Sequence, residues 1–98
     1  MSEEKNYIGI FEALSHPIRI KILKVLSKGE RYITELAKDL EISRPLLYMH
    51  LSKLEKAGLI STYIKHFDSP PYVRKFVKAK KIKLVIDLPE LIINVEEE

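Results

Sequence analysis

The apolar residues of the first sixty positions recur at a spacing of three to four, which predicts a series of amphipathic helices. The clearest case lies within residues 43–58, where one narrow apolar stripe is formed by Leu47, Leu51 and Leu54. Ser43 is a favourable N-cap, Pro45 fits the first helical turn, and Gly58 can adopt the left-handed conformation that ends a helix. The pattern therefore predicts a helix whose other face has no apolar core to join.

Three shorter helices are predicted before it, over residues 6–14, 17–27 and 34–40. Residues 1–5 are expected to be disordered, Arg19 is placed on the outward face of the second helix, and Thr34 is the expected N-cap of the third. Only Glu41 and Ile42 separate the third helix from the fourth, so the two form a helix, a short turn and a helix.

After Gly58 the apolar spacing shortens from about 3.6 toward two, which is typical of strands. Strands are predicted over residues 59–67, 72–78 and 82–88. A turn with two prolines at residues 68–71 joins the first two strands into a β-hairpin. Pro89 ends the third strand. Residues 90–95 are read as either a short helical turn or an extended tail, and residues 96–98 are expected to be frayed.

These elements predict an α+β fold: a winged helix-turn-helix of three to four helices, with a β-hairpin as the wing and an extra C-terminal strand. A chain of 98 residues suffices for a single domain. Its core is expected in residues 6–78, and its C-terminal strand and tail in residues 79–98.

Charge is distributed unevenly along the chain. Residues 43–83 hold ten Lys or Arg and two acids, a net charge of +8, whereas the rest of the chain has a net charge of −5. A basic half beside an acidic half is typical of proteins that bind nucleic acid. The alternative is a lysine-rich, solvated surface, which is the preferred interpretation of the basic run at residues 78–83.

The candidate DNA contacts lie on the exposed face of the fourth helix and on the wing. On the helix they are Ser43, Arg44, Pro45, Tyr48, Met49, Ser52, Lys53 and Lys56, and on the wing they are Lys65, His66, Arg74 and Lys75. Arg44 lies in the first turn, where it can contact a base edge or a phosphate. The helix lysines are expected to meet phosphates, because a lysine is a flexible point charge. Arg74 and Lys75 are expected to reach the minor groove or the flanking backbone, the alternative being protection of a strand edge.

Several classes of site are not expected. Cysteine is absent, which excludes disulfides, a thiolate metal site and a cysteine nucleophile. The histidines, His16, His50 and His66, are far apart in sequence and lack acidic partners at ligand spacing, so no metal is expected. The chain has no P-loop and no nucleophile elbow, so we expect neither an enzyme nor a cofactor.

The location and source are predicted from composition. No apolar run approaches the roughly 18 residues of a membrane span, and the acidic first residues do not resemble a signal peptide. A cytoplasmic location without membrane contact is therefore expected. The absence of Gln and Trp, beside abundant Lys, Glu and Ile, favours a thermophilic source.

Two sequence motifs carry a family resemblance. Residues 13–23 read A-L-S-H-P-I-R-I-K-I-L and resemble the A-L-x-H-P-x-R-x-x-I-L opening of ArsR-type winged-helix repressors, especially their archaeal relatives. Residues 34–37 and 50–60 match the family pattern S-x-L-A … H-L-x-x-L-x-x-A-G-L-I. The resemblance covers residues 7–78 and implies a homodimeric, sequence-specific transcriptional regulator.

The chain departs from this family pattern at two places. Residues 35–40 read E-L-A-K-D-L, where metal-sensing members carry a cysteine motif, so a thiolate sensor is excluded. Residues 44–49 read R-P-L-L-Y-M, with fewer hydrogen-bonding side chains than is usual at the start of the recognition helix. We therefore expect less base readout through hydrogen bonds.

The first helix and the end of the chain carry more apolar residues than one small core can cover. A two-fold homodimer is therefore predicted, with an interface formed by Tyr7, Ile8, Ile10, Phe11, Leu91 and Ile92. The leading hypothesis is a regulator that occupies double-stranded DNA as a dimer. The alternative is a winged-helix protein-interaction module within a transcription complex, in which Leu46, Tyr48 and Met49 pack on another protein.

Overall fold

A computed structural model of the chain describes residues 3–98, with side chains from Tyr7 onward. Its helices are α1 (Glu3–Leu14), α2 (Pro17–Leu26), α3 (Ile33–Leu40) and α4 (Arg44–Lys56). The four predicted helices are confirmed, but residues 3–5, expected to be disordered, belong to α1. The same expectation for residues 1–2 lies outside the described part of the chain. Between residues 3 and 98, no helix combines the length and the apolar character needed to cross a bilayer.

Within residues 3–98, five strands form two antiparallel sheets. They are β1 (Arg31–Tyr32), β2 (Ile60–His66), β3 (Val73–Ala79), β4 (Ile82–Asp87) and β5 (Ile92–Glu97). The predicted wing is the hairpin of β2 and β3, in which Tyr63 pairs with Phe76, and β1 adds to the other edge of β3. β4 and β5 form a separate hairpin.

The C-terminal hairpin corrects the prediction for the end of the chain. β5 is a paired strand, so the last residues are neither a helical turn nor an unpaired, frayed tail. Leu84 of β4 lies opposite Val95 of β5, and both side chains pack half-buried against the core. This burial stabilises the pairing of β5 with β4.

The core lies between the helices and the inner face of the wing. The stripe of Leu47, Leu51 and Leu54 is buried as predicted, in one cluster with Ile22 of α2 and Val77 of β3. Glu41 closes the turn between α3 and α4 in a left-handed backbone conformation (φ 55°). The helix-turn-helix is therefore fixed from both sides by apolar packing.

Two polar residues differ from their predicted positions. Arg19 points inward and is only 9% exposed, because its Nε donates a hydrogen bond to the carbonyl of Ala13 at 2.7 Å, near the end of α1. Tyr32, not Thr34, is the N-cap of α3, and it makes no side-chain capping bond. The Thr34 hydroxyl is therefore available to another partner.

Candidate nucleic-acid interface

The fourth helix presents a broad exposed face. Ser43 caps it as predicted, its hydroxyl accepting a hydrogen bond from the Leu46 amide at 3.3 Å. The predicted helix contacts are all exposed: Ser43, Arg44, Pro45, Tyr48, Met49, Ser52, Lys53 and Lys56. Tyr48 and Met49 are 43% and 49% exposed, which leaves two large apolar side chains in the middle of a basic surface.

Arg44 is held beside the first turn of α3. One of its terminal nitrogens donates a hydrogen bond to the Thr34 hydroxyl at 2.5 Å. A guanidinium has five N–H donors, so most of them stay available for a ligand. The predicted first-turn arginine therefore faces the junction of α3, α4 and the wing.

An open cleft of about 460 Å³ lies at this junction. Its lining consists of Tyr32, Ile33, Thr34, Arg44, Tyr48, Pro71, Val73, Arg74 and Lys75. Among the described residues that line it, three are cations, Arg44, Arg74 and Lys75, and none is an acid. We call this the basic cleft, and its charge suits a phosphate group.

Aromatic rings support the wing cations of the basic cleft. The Arg74 guanidinium lies 4.4 Å from the centroid of the Tyr32 ring, and the Lys75 ammonium lies 5.2 Å from that of Tyr48. A cation over a ring face is attracted to it without losing its charge. These contacts therefore place both charges at the cleft while leaving them able to bind an anion.

A hydrogen bond ties the wing to the fourth helix. The Thr62 hydroxyl of β2 donates to the Glu55 carboxylate of α4 at 3.0 Å. Sequence reasoning missed this pair, because the two residues lie on different elements and neither belongs to a motif. The bond helps to set the position of the wing relative to α4.

Lys65 does not join the other predicted wing contacts. Lys65 pairs with Arg74 across the hairpin, so these two residues share one face of the sheet, and Thr62 and Lys75 lie on the other. The Lys65 ammonium forms a salt bridge with Glu30 and lies 4.4 Å from the centroid of the Phe76 ring. Hydrogen bonds from Lys65 and Tyr63 lower the pKa of Glu30, and the bond to Glu30 raises the pKa of Lys65. The structure therefore pairs Lys65 with Glu30 at the protein surface, whereas His66 is exposed on the same face as Thr62.

Three residues outside the basic cleft form what we call the histidine junction: His16, Arg19 and His50. The Nδ1 atom of His16 accepts a hydrogen bond from the Ile18 amide at 3.1 Å and so caps α2. Arg19 bonds to Nδ1 of His50 at 3.1 Å, and the two imidazole centroids are 4.5 Å apart. His50 is 1% exposed, and burial lowers its pKa, with His16 and Arg19 lowering it further.

The histidine junction is not arranged as a metal site. Among the side chains that the structure describes, no group of three or more His, Cys, Asp or Glu residues is suited to holding a metal. His16 and His50, although distant in sequence, are neighbours, but each Nδ1 atom already takes part in a hydrogen bond.

The residues predicted for a dimer interface separate into two groups. Ile8, Leu91 and Ile92 are at least half exposed, and Tyr7 and Phe11 are half-buried. Ile10, in contrast, is 2% exposed and belongs to the core of the single chain, so its assignment to the interface was wrong. The reason is its position on α1, three residues before the buried Ala13 and therefore on the same helix face.

Comparisons with known proteins agree with this geometry. Residues 16–62 match the family described as "Bacterial regulatory protein, arsR family". An HTH-type transcriptional regulator of Methanocaldococcus jannaschii is 49% identical over 76 residues, which cover 78% of each chain.

Solved structures also resemble this chain. The crystal structure of an ArsR family transcriptional regulator has a TM-score of 0.65 at 29% identity, covering 81% of this chain and 75% of that one. A homodimeric winged helix-turn-helix DNA-binding domain from Mycobacterium bovis shares the fold, with a TM-score of 0.63 at 20% identity and coverage of 81% and 72%. The chain belongs to the ArsR family of HTH-type transcriptional regulators.

Proposed function

We propose that the protein binds double-stranded DNA in a sequence-specific way and regulates transcription as a homodimer. The observation that carries this proposal is the basic cleft beside the exposed face of α4. A duplex presents a ridge of phosphates next to a groove wide enough for a helix. The cleft would take the phosphate ridge while α4 enters the major groove.

Affinity and specificity would come from different residues. Arg44, Arg74 and Lys75 would neutralise phosphates and so supply most of the binding energy. Tyr48 and Met49 could pack on thymine methyl groups. With few hydrogen-bonding side chains on this face, sequence-dependent DNA shape would supply part of the specificity.

The homodimer would be built from α1 and the C-terminal hairpin. Ile8 and Leu91 are exposed apolar residues on these elements, 51% and 62% accessible in the single chain. The M. bovis domain of the same fold is homodimeric. A two-fold axis would place the two α4 helices about 34 Å apart, one turn of DNA, so that they read two half-sites.

A protein-interaction module is the second candidate, because Tyr48 and Met49 are large, apolar and exposed on α4. A partner protein packed on them would bind mainly through apolar contact. Such binding depends little on salt, whereas binding to phosphates falls steeply as salt rises. The salt dependence of partner binding therefore distinguishes the two candidates.

Replacing Arg44 by alanine should weaken binding to the preferred site and to random DNA by a similar factor. Its bond to Thr34 places it at the basic cleft, where a phosphate is the expected ligand. One lost contact in each subunit should flatten the slope of log affinity against log salt by about 1.8 and cost on the order of tenfold or more in affinity. Titrations of both duplexes at several salt concentrations would measure this.

The matched control for this variant is Lys28→Ala, which removes one charge outside the basic cleft and should change the slope little. If Arg44 reads guanine instead, its loss would cost about 1–3 kcal/mol at the preferred site and much less on random DNA. That selective result would contradict the phosphate contact but keep the proposed function.

Added zinc should leave both DNA affinity and thermal stability unchanged. The chain lacks cysteine, and the neighbouring imidazoles of His16 and His50 already use their Nδ1 atoms. Calorimetry on chelator-treated protein tests this directly. A tight, stoichiometric zinc isotherm that also changes DNA affinity would show that a metal effector exists.

We also infer an archaeal, thermophilic source and a cytoplasmic location. The relative from M. jannaschii and the composition rich in Lys, Glu and Ile support the source. The location follows from the proposed function, since a regulator of this kind must reach the chromosome.

A further inference from the structure

We propose that Arg19 and His50 are positioning residues for DNA binding, and that they hold α4 in its binding position only while His50 is neutral. Protonation of His50 would then weaken the binding of DNA, and the binding of DNA would disfavour protonation of His50. This inference rests on the proposed function, because it concerns affinity for DNA. It gives a role to the His-Pro-x-Arg motif, which the basic cleft does not use.

Arg19 connects three helices through one side chain. It extends from α2, donates to the carbonyls of Ala13 at 2.7 Å and Glu12 at 3.4 Å on α1, and bonds to His50 of α4 at 3.1 Å. Carbonyls at a helix C-terminus lack partners within the helix and attract a positive charge. The Arg19 guanidinium therefore caps the C-terminus of α1 and holds α4 against α1.

This geometry determines the protonation state of His50. Arginine stays protonated and can only donate, so Nδ1 of His50 must be the acceptor and its proton must lie on Nε2. A protonated imidazole has no acceptor atom. It would set two N–H donors and two positive charges against each other in a site where His50 is 1% exposed.

The surroundings give a proton on His50 no compensation. Among the described residues, the charged or titratable groups that act on it are His16 and Arg19, and both are basic. From α1, Glu12 offers its carbonyl to Arg19, and its side chain is exposed in a shallow groove with Lys53 and Lys56 of α4. The pKa of His50 is accordingly lowered from its ordinary value of 6.5.

The consequence for DNA binding follows from where α1 and α4 lie. In the proposed homodimer α1 belongs to the interface and α4 to the groove, so their mutual position sets the spacing of the two recognition helices. The junction is intact above pH 6.5 and is lost as the pH falls through the folded-state pKa. If the binding of DNA requires the intact histidine junction, linkage demands that bound DNA lower the pKa of His50 further.

A variant with a single histidine tests this linkage. In His16→Asn/His66→Asn, His50 is the only histidine left, and the asparagine introduced by the first substitution can still cap α2. Removing His66 also eliminates the exposed imidazole of the wing, which is one of the predicted DNA contacts. The His50 imidazole is titrated by NMR in the free protein and in the DNA complex at constant salt, and circular dichroism records the folded range.

The expected result is a pKa below 6.5 in the free protein and a value about one unit lower in the complex. This shift corresponds to a roughly tenfold weaker affinity per subunit at low pH, or about a hundredfold for the dimer. Adding His50→Asn keeps an acceptor for Arg19 without a titrating group, so the loss of affinity at low pH should disappear. Arg19→Lys keeps the charge and should restore part of the affinity that Arg19→Met loses.

A pKa of His50 that is equal or higher in the DNA complex would overturn the inference while leaving the proposed function intact. The same holds if the His50→Asn variant, once folded, loses affinity at low pH as strongly as its parent. Absence of DNA binding by the unmodified protein at about pH 7.5 would instead reject the proposed function, and the inference with it.

Discussion

Replacing Arg74 and Lys75 together by alanine is expected to weaken binding to every DNA sequence by on the order of 10³-fold at about 0.15 M salt. Both cations line the basic cleft, and their aromatic supports hold them in place without neutralising them. Two phosphate contacts per subunit make four per dimer. The slope of log affinity against log salt should then flatten by about 3.6. Titrations of specific and random duplexes between low and moderate salt measure both quantities.

The matched control for the wing variant is Lys81→Ala/Lys83→Ala. It removes the same charge from the exposed β4 region, where the basic run is expected to be a solvated surface. This control should lower affinity only slightly. Equal losses in the two double variants would mean that net charge, and not the basic cleft, supplies the affinity. No change in either would favour the protein-interaction alternative.

The elements that were predicted well are those determined by local sequence. The fourth helix has its N-cap, first-turn proline, apolar stripe and terminal glycine within sixteen consecutive positions, so its bounds and exposed face could be predicted before any tertiary contact was known. The wing has a clear change of period and a proline turn between two β-rich stretches. Each of these signals acts over a few residues.

The residues whose positions were predicted wrongly make contacts with residues that are distant in sequence. A helical wheel puts Arg19 on the outside of α2, but the carbonyls at the end of α1 and the imidazole of His50 draw it inward. Lys65 was counted with the wing cations, yet Glu30, 35 positions earlier, pairs with it. The positions of charged residues in the sequence indicate how many charges lie near a site. They do not indicate which of these charges form a salt bridge or hydrogen bond with a residue that is distant in sequence.

The C-terminal hairpin was only half predicted for a similar reason. The alternation in residues 82–88 is strong, whereas residues 92–97 read I-I-N-V-E-E and carry little period-2 signal. β5 forms because its partner strand and the core cover Val95. The β4–β5 hairpin therefore depends on tertiary packing, which a local sequence pattern does not reveal.

Replacing Ile8 by glutamate is expected to dissociate the proposed homodimer. Ile8 is 51% exposed on α1, so the change should leave the fold of the single chain intact. In a two-fold interface the substitution occurs twice, and each copy loses about 1.5 kcal/mol of apolar burial or more. The total of about 3 kcal/mol corresponds to a dimer dissociation constant raised roughly a hundredfold. Sedimentation at micromolar concentration measures the change, and DNA affinity should fall with it because one subunit then binds one half-site.

Ile64→Glu provides a control with the same chemistry at a different place. Ile64 is 56% exposed on β2 of the wing, which is distant in sequence from α1 and is not part of the proposed interface. The Ile64→Glu variant should remain dimeric at concentrations where the Ile8→Glu variant is monomeric. If both variants sediment as dimers, α1 is not part of the interface, and the exposed apolar residues of the C-terminal hairpin must form it alone. If the unmodified chain is a monomer, α4 would contact one half-site only, and the proposed coupling between α1 and the spacing of recognition helices would have no physical basis.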